Sequence, residues 1–234
     1  MRPTPYTRLA CFALALCALA AGCSISPKPE PPTAKPKVEM GSVVTKPTNS
    51  YGNCVVAGDP GAVDTVGAIV RIYDLDNDQP AAEGLVKPDG SFSIELFLTD
   101  GDELRLQVIA DIGRSEPIDA IATECGKALK LSTHALGDCL LVSPQAELDL
   151  AKGQSLEVAN HCASSVQIEA PAARVAVPGL TVGQGGTWPA VLAPGSSVQV
   201  QVSFQPGGVA EEIVFIEASS PQQDRRPITV IAGP

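Results

Sequence analysis

The alternation of apolar and polar residues along short segments constrains the fold of this chain most. Residues 198–205 read VQVQVSFQ, with an apolar residue at every second position. Because successive side chains of a β-strand point to opposite faces of a sheet, this pattern predicts a strand with one buried face. Similar segments recur at residues 91–96 and 104–110, with Gly-, Pro- and Asp-rich turns between them. Strands at such close spacing predict an all-β fold of antiparallel sandwiches.

Residues 1–22 have the features of a secretory signal peptide. Arg2 and Arg8 give a basic start, and residues 9–22 form an uncharged run of apolar and small residues. This run has about 14 residues. A membrane-spanning helix needs roughly 20, so the run predicts a cleaved signal. The chain is therefore expected to be exported.

The signal ends in Leu-Ala-Ala-Gly-Cys at residues 19–23, which resembles the lipobox of bacterial lipoproteins. The family has leucine at the position of Ala20, whereas Gly22 and Cys23 match its pattern. The resemblance implies that Cys23 becomes the lipidated first residue and fixes the chain to a membrane, and Ser24 implies the outer membrane. The alternative is an ordinary signal cut near Gly22, with Cys23 a free thiol or a disulfide partner.

Residues 23–49 hold the lipidated cysteine and a stretch rich in proline and lysine, which predicts an extended or disordered linker without a core of its own. Removal of residues 1–22 takes away two of the 16 basic residues and none of the 26 acidic ones, which leaves a net charge of −12. Nucleic-acid binding depends on lysine and arginine to neutralise phosphates, so no nucleic-acid partner is expected.

Four cysteines remain when the signal and Cys23 are set aside: Cys54, Cys125, Cys139 and Cys162. An even number in an exported chain predicts two disulfides. Four cysteines allow three pairings, and we favour Cys54–Cys125 and Cys139–Cys162 because each pair then lies within one predicted domain. A metal site is the alternative, but the chain has no C-x-x-C spacing and no histidine in a zinc-type pattern.

The first predicted domain spans residues 50–137. It contains a β-branched segment at residues 69–74, a turn at Pro88-Asp89-Gly90 and a second turn at Gly101-Asp102. These segments resemble bacterial Ig-like repeats of surface proteins. The resemblance implies an Ig-like sandwich, and a sandwich of the carboxypeptidase-regulatory type is the alternative.

The second predicted domain spans residues 138–234. The order of its segments at residues 158–160 (VAN), 192–195 (LAPG), 200–206 and 228–233 resembles the hydin-type Ig-like domain, also called the choice-of-anchor D domain. Where that family has glycine after the asparagine, this chain has His161-Cys162. The resemblance implies an Ig-like sandwich without enzymatic activity that is used for protein association.

The acidic segment Asp74-Leu75-Asp76-Asn77-Asp78 is the sharpest local candidate for a metal site. Carboxylates at alternate positions of a loop can offer oxygen ligands to Ca²⁺, so Asp74, Asp76 and Asp78 are candidate ligands. An EF-hand loop has glycine after its third acidic position and glutamate at its twelfth, whereas Gln79 and Pro80 follow here. The alternative is an acidic loop whose side chains accept hydrogen bonds from its own backbone. No other cofactor is expected.

The sequence offers no recognisable catalytic centre. It has two histidines, His134 and His161, and no Gly-x-Ser-x-Gly motif. Trp188, the single tryptophan, lies among glycine and proline, where it serves either as a contact for a partner or as a plug at the end of a core.

These features predict a lipid-anchored, non-catalytic module for protein interaction or adhesion at the cell envelope, with envelope or surface proteins as partners. Two alternatives stay open. One is a structural envelope spacer without a dedicated ligand, and the other is a hydrolase with an unrecognised site.

Overall fold

A computed structural model describes residues 35–48, 53–205 and 211–232. The predicted signal peptide, Cys23 and much of the predicted linker lie outside these residues. In the described part of the chain the regular structure is almost entirely β, apart from short 3-10 helices at Met40–Ser42, Gly137–Cys139 and Leu150–Lys152. None of the described helices is long and apolar enough to cross a membrane. The predicted all-β class is confirmed.

The first sandwich consists of two facing antiparallel sheets. One has the strand order β1-β2-β5, and the other has the order β4-β3-β6-β8-β9, with β7 paired to β6. The strands are β1 (Val43–Pro47), β2 (Asn53–Gly58), β3 (Ile69–Asp74), β4 (Ala82–Leu85), β5 (Phe92–Phe97), β6 (Glu103–Ala110), β7 (Gly113–Arg114), β8 (Ile118–Ile121) and β9 (Lys130–Leu131).

Alternation fixes which side chains fill the first core. Val70 and Ile72 of β3 are fully buried between the sheets, whereas Arg71 points to the outer face. Gly90 closes the predicted turn before β5, where its amide donates to the carbonyl of Lys87. Its φ of 81° and the carbonyl oxygen of Val63, 2.7 Å from where a Cβ would stand, leave room for glycine alone.

The second sandwich has one sheet in the order β10-β12-β17 and one in the order β11-β20-β19-β13-β16, with β14 paired to β19 and a separate ribbon of β15 and β18. Its strands are β10 (Leu140–Ser143), β11 (Glu147–Asp149), β12 (Leu156–Asn160), β13 (Val166–Ile168), β14 (Ala172–Ala173), β15 (Leu180–Val182), β16 (Ala190–Leu192), β17 (Ser197–Val200), β18 (Val202–Phe204), β19 (Glu211–Ser220) and β20 (Asp224–Ile231).

One strand pair of the second sandwich is parallel. β11 runs parallel to β20, whereas β10, just before it in the chain, pairs antiparallel with β12 in the opposite sheet. Pro144 lies between β10 and β11 and has no N–H to donate, so a continuous ladder cannot pass through it. The chain therefore crosses from one sheet to the other at this point.

The alternating segment 198–205 also divides between two sheets. Sequence analysis predicts one strand, but Ser197–Val200 pairs with β12 and Val202–Phe204 pairs with β15. The period of two continues through Gln201, so the alternation does not reveal the change of partner.

The predicted linker boundary is wrong at its carboxyl end. Val43–Pro47 lies within residues 23–49, yet it pairs along its whole length with β2 and buries Val43 in the first core. The amide of Thr45 also donates to the carbonyl of Lys127 at 2.8 Å. The apolar and β-branched residues at 43–45 suit a strand, but the prolines on either side favoured the prediction of a linker.

Both favoured disulfide pairings are confirmed. Cys54 of β2 is bonded to Cys125 across a Cα–Cα distance of 5.9 Å. Cys139 is bonded to Cys162 across 4.6 Å. Each disulfide contributes to one of two separate cores, the first reaching Leu129 and the second beginning at Leu136.

The two disulfides are expected to stabilise the protein unequally. Cys54–Cys125 closes a loop with a sequence separation of 71, and Cys139–Cys162 closes one of 23. In the chain-entropy model these loops correspond to about 4 and about 3 kcal/mol. We expect the Cys54→Ala/Cys125→Ala variant to lose more free energy of unfolding in urea than Cys139→Ala/Cys162→Ala, and the reverse order would contradict the model.

Candidate binding cleft between the two sandwiches

The outer faces of two sheets, one from each sandwich, lie against each other. Residues that alternate with the core positions of β3 and β6 face residues that alternate with the core positions of β19 and β20. At the centre of this junction Tyr73, Leu75 and Ile213 are buried together, with Ala81 and Phe215 packed beside them. The junction therefore has an apolar centre of its own, distinct from the two cores.

Glu211 connects the sandwiches at one side of this centre. Its Oε2 accepts hydrogen bonds from Arg71 Nη1 and Arg114 Nη2, each at 2.6 Å, and its Oε1 accepts one from the Tyr73 hydroxyl at 2.9 Å. The Glu211 side chain is 7% exposed. Arg71 also pairs with Glu83. All three donors to Glu211 come from the first sandwich, so this carboxylate is satisfied only while the junction is formed.

The junction shifts the pKa values of its titratable groups. Burial alone would raise the pKa of Glu211, but the hydrogen bonds and charges of Arg114 and Arg71 outweigh it and hold the pKa below its usual value. Burial, together with the Glu211 charge, raises the pKa of the Tyr73 hydroxyl well above its usual value. Both shifts favour an ionised Glu211 that accepts a hydrogen bond from a neutral Tyr73.

Arg105 makes a second connection. Its guanidinium forms a two-point pair with Asp119, Nε to Oδ1 at 2.7 Å and Nη2 to Oδ2 at 2.8 Å. Its Nη1 donates to the Thr229 hydroxyl at 3.2 Å and to the Ala146 carbonyl at 3.3 Å. The pair with Asp119 fixes the guanidinium plane, so its remaining donor is aimed at the second sandwich.

The three candidate calcium ligands lie at the edge of the junction and are engaged separately. Asp74 accepts from the amide of Asp76 at 2.9 Å and from the side chain of Asn77. Asp76 binds Arg225 Nη2 at 2.7 Å through Oδ1. Asp78 lines a cleft instead. No group of three or more potential metal ligands occurs among the described residues.

Arginines of the second sandwich hold this acidic segment. Arg225, besides Asp76, binds Glu103 at 2.7 Å and lies over the ring of Phe215. Arg174 donates to the carbonyls of Asn77 and Gln79 at 2.8 and 2.9 Å. Arg225 thus neutralises Asp76, and Arg174 fixes the backbone of the segment.

A cleft of about 730 Å³ opens beside Glu211. Its lining is charged at the base and apolar on the walls, and the residues are Arg71, Tyr73, Asp78, Pro80, Ala81, Glu83, Arg114, Arg174, Val175, Val177, Glu211, Glu212 and Ile231. Three arginines are each paired with a glutamate, Arg174 with Glu212 at 3.2 Å. Among the described residues, Asp78 has no hydrogen bond or ion pair.

The sheet face beside the cleft continues as an exposed apolar row. Leu85 of β4 lies opposite Ile69 of β3, and Ile69 lies opposite Ile109 of β6. Leu85 is 66% exposed and Ile69 36%. Ile69 lies two positions before Arg71 and therefore shares its outer face. Leu85 and Ile109 lie on the same face because they are the register partners of Ile69. Exposed apolar rows next to a cleft are typical of binding surfaces.

Trp188 lies at the end of the second core. Its ring packs partly buried against that core, and its indole N–H donates to the carbonyl of Gly183 at 2.9 Å. A Cβ at Gly186 would stand 2.5 Å from the indole nitrogen, so glycine is needed beneath the ring. These contacts favour Trp188 as a plug of the core over Trp188 as a contact for a partner.

The two histidines lie apart from the cleft. His134 Nδ1 is 3.6 Å from Asp224, which also accepts from Arg226 and from the amide of Leu136. Burial alone would raise the pKa of Asp224, but His134 and Arg226 hold it below its usual value. This network fixes the connection between the sandwiches. The amide of His161 donates to the carbonyl of Cys139, beside the second disulfide.

Sequence analysis missed Glu211 and its partners. Arg71 and Glu211 are separated by 140 residues, and each lies at a polar position of an alternating strand. Such positions look the same whether they face water or a second polar surface, so no local signal marks them.

Comparisons with known proteins identify no family. No protein-family model matches the sequence, and neither does any curated protein. One similar solved structure is the adhesin InvE of Yersinia pseudotuberculosis, with 15% identity and a TM-score of 0.25. The match covers 82% of this chain and 60% of that one, so the chain spans about 60% of the matched structure's length. A likeness of this size carries no argument about fold or function.

We expect Glu211→Gln to lower the free energy of unfolding by about 2 kcal/mol at neutral pH, because the amide leaves two arginines without their shared carboxylate. The folded pKa of Glu211 is depressed, so its contribution is complete above the ordinary glutamate pKa and is lost as the pH falls through the folded value. Urea titrations should therefore show the difference from wild type shrinking in acid. Glu157→Gln, on β12, is the matched control, and an equal loss there would contradict the role of the junction.

We expect Trp188→Ala to lower the free energy of unfolding by about 2 kcal/mol, since a half-buried ring is removed from the end of a core. Thermal unfolding of Trp188→Ala and Trp188→Phe, with the smaller loss in the latter, would check this. An unchanged stability would point instead to a contact residue.

Proposed function

We propose that the chain is an exported lipoprotein, anchored through Cys23, whose two sandwiches form a non-catalytic protein-interaction module at the bacterial cell envelope. We also propose that both sandwiches are Ig-like, as the sequence resemblances imply. The observation that carries the proposal is the pair of disulfides, one in each sandwich. Disulfides persist in oxidising compartments, which fits export past a membrane.

The junction supports an interaction role. Ion pairs of Glu211 with Arg71 and Arg114 hold the two sandwiches in one arrangement, so the cleft and the apolar row beside it form a preorganised surface. A preorganised surface loses little conformational entropy when a partner binds. Each arginine of the cleft is paired with a glutamate, which suits recognition rather than proton transfer. The proposed partners are other envelope or surface proteins.

A structural spacer is the second candidate function. The same buried ion pairs favour it, because they fix the distance between the two ends of the module. A spacer needs no saturable partner. The two functions therefore differ in what the protein retains from an envelope extract.

The lipid anchor is tested by Cys23→Ser. We expect the wild type to incorporate labelled fatty acid and to fractionate with membranes, and the variant to do neither, because acyl chains on this sulfur supply the membrane affinity. Cys139→Ser/Cys162→Ser is the control for loss of cysteines in general. Membrane association of Cys23→Ser equal to that of the wild type would overturn the anchor.

The interaction role is tested by capture of the lipidated protein from envelope extract, with identification of bound proteins by mass spectrometry. We expect a reproducible set of partners whose recovery saturates with bait. Recovery of nothing above background would leave the spacer as the function.

A further inference from the structure

β4 forms one edge of the sheet β4-β3-β6-β8-β9. It pairs antiparallel with β3, and no other described strand pairs with it. An edge strand presents backbone N–H and C=O groups that can pair with an added chain. β4 can therefore pair with an added strand through the same backbone hydrogen bonds that join the strands within its sheet.

The side chains of β4 divide between the core and this surface. Ala82 packs on the first core, and a Cβ at Gly84 would stand 2.5 Å from Ile94 Cγ1, so both positions face inward. Glu83 and Leu85 face outward and are exposed. A strand added beside β4 would place alternate side chains next to Ala81, Glu83 and Leu85.

The cleft lies along the beginning of β4. Pro80 and Ala81 lead into the strand and form one wall, and Val175 and Val177 of the second sandwich form another. An apolar side chain opposite Ala81 would enter this space. The apolar row of Leu85 and Ile69 accepts a second apolar side chain four residues away, and it is continuous with the junction face.

The charges that line the cleft are unbalanced. Among the described cleft residues, the arginines are paired with glutamates, whereas Asp78 is unpaired and Glu83 is partly exposed. The excess is negative. A lysine or arginine on the added strand, between its two apolar residues, complements it.

We propose that β4 binds an extended segment of another polypeptide as an additional strand, with the pattern apolar-x-basic-x-apolar. The basic side chain lies against Asp78 and Glu83, and the apolar ones lie over Leu85 and in the cleft. This inference rests on the proposed interaction function and names its site and the chemistry of its partner.

The test uses the full chain in detergent and two labelled synthetic peptides. One is Ser-Val-Gln-Lys-Gln-Val-Ser, and the other has glutamate in place of lysine. We expect fluorescence anisotropy to show about fivefold tighter binding of the lysine peptide, a ratio that one partly exposed charge pair supplies. Hydrogen exchange should slow at residues 82–85 when that peptide is bound.

Asp78→Lys is the variant and Asp100→Lys the control, since both carboxylates are exposed and lie outside the cores. We expect about a fivefold loss of lysine-peptide affinity for the first and none for the second. Equal binding of the two peptides, exchange protection away from β4, or dimerisation of the chain in sedimentation that Asp78→Lys abolishes would each overturn the proposal. Unchanged capture of envelope partners by Asp78→Lys would overturn this site alone, whereas no capture by the wild type would overturn the proposed function.

Discussion

The carboxylate of Glu211 is buried at the junction of the two sandwiches. Its own sandwich supplies none of the three groups that donate hydrogen bonds to it. Arg71, Arg114 and Tyr73 all come from the first sandwich. A buried carboxylate without partners would cost several kcal/mol, so separation of the sandwiches requires rehydration of this group and of its arginines. An apolar junction would tolerate sliding, but the charge-assisted hydrogen bonds that cross it, from Arg71 and Arg114 to Glu211, do not. The relative arrangement of the sandwiches is consequently set by hydrogen-bond geometry more than by buried area.

The cleft follows from that arrangement. Its floor is the outer face of β3 and its far wall is the segment around Val175, so it exists only while the two sandwiches are held together. The arginines that line the cleft are paired with its glutamates, so most of the charge in the cleft is already neutralised. What remains for a ligand is an apolar lining and one free carboxylate, Asp78. The site is therefore a product of the pairing of two domains, and neither domain contains it alone.

The sequence predicted what depends on local pattern and failed where the answer depends on a distant partner. Alternation located β3, β5 and β6, and cysteine parity with domain-wise pairing gave both disulfides. Alternation did not show that residues 198–205 change sheets at Gln201, since the period is unbroken there. It also gave no sign that Arg71 and Glu211 meet, because a polar position on an outer face has the same pattern whether it faces water or a second polar surface. The acidic segment 74–78 was weighed as a calcium site for the same reason, as its partners Arg174 and Arg225 lie about a hundred or more residues away in the sequence.

The strong acidity of the chain bears on how such a cleft would meet a partner. Under the proposed anchoring, a body with a net charge of −12 is repelled by anionic lipid at distances up to about the Debye length of 8 Å in physiological salt. Under that anchoring, repulsion from the membrane keeps the sheet faces accessible. The same charge disfavours acidic partners and raises the encounter rate with basic ones, which is the chemistry that the unpaired Asp78 selects at short range.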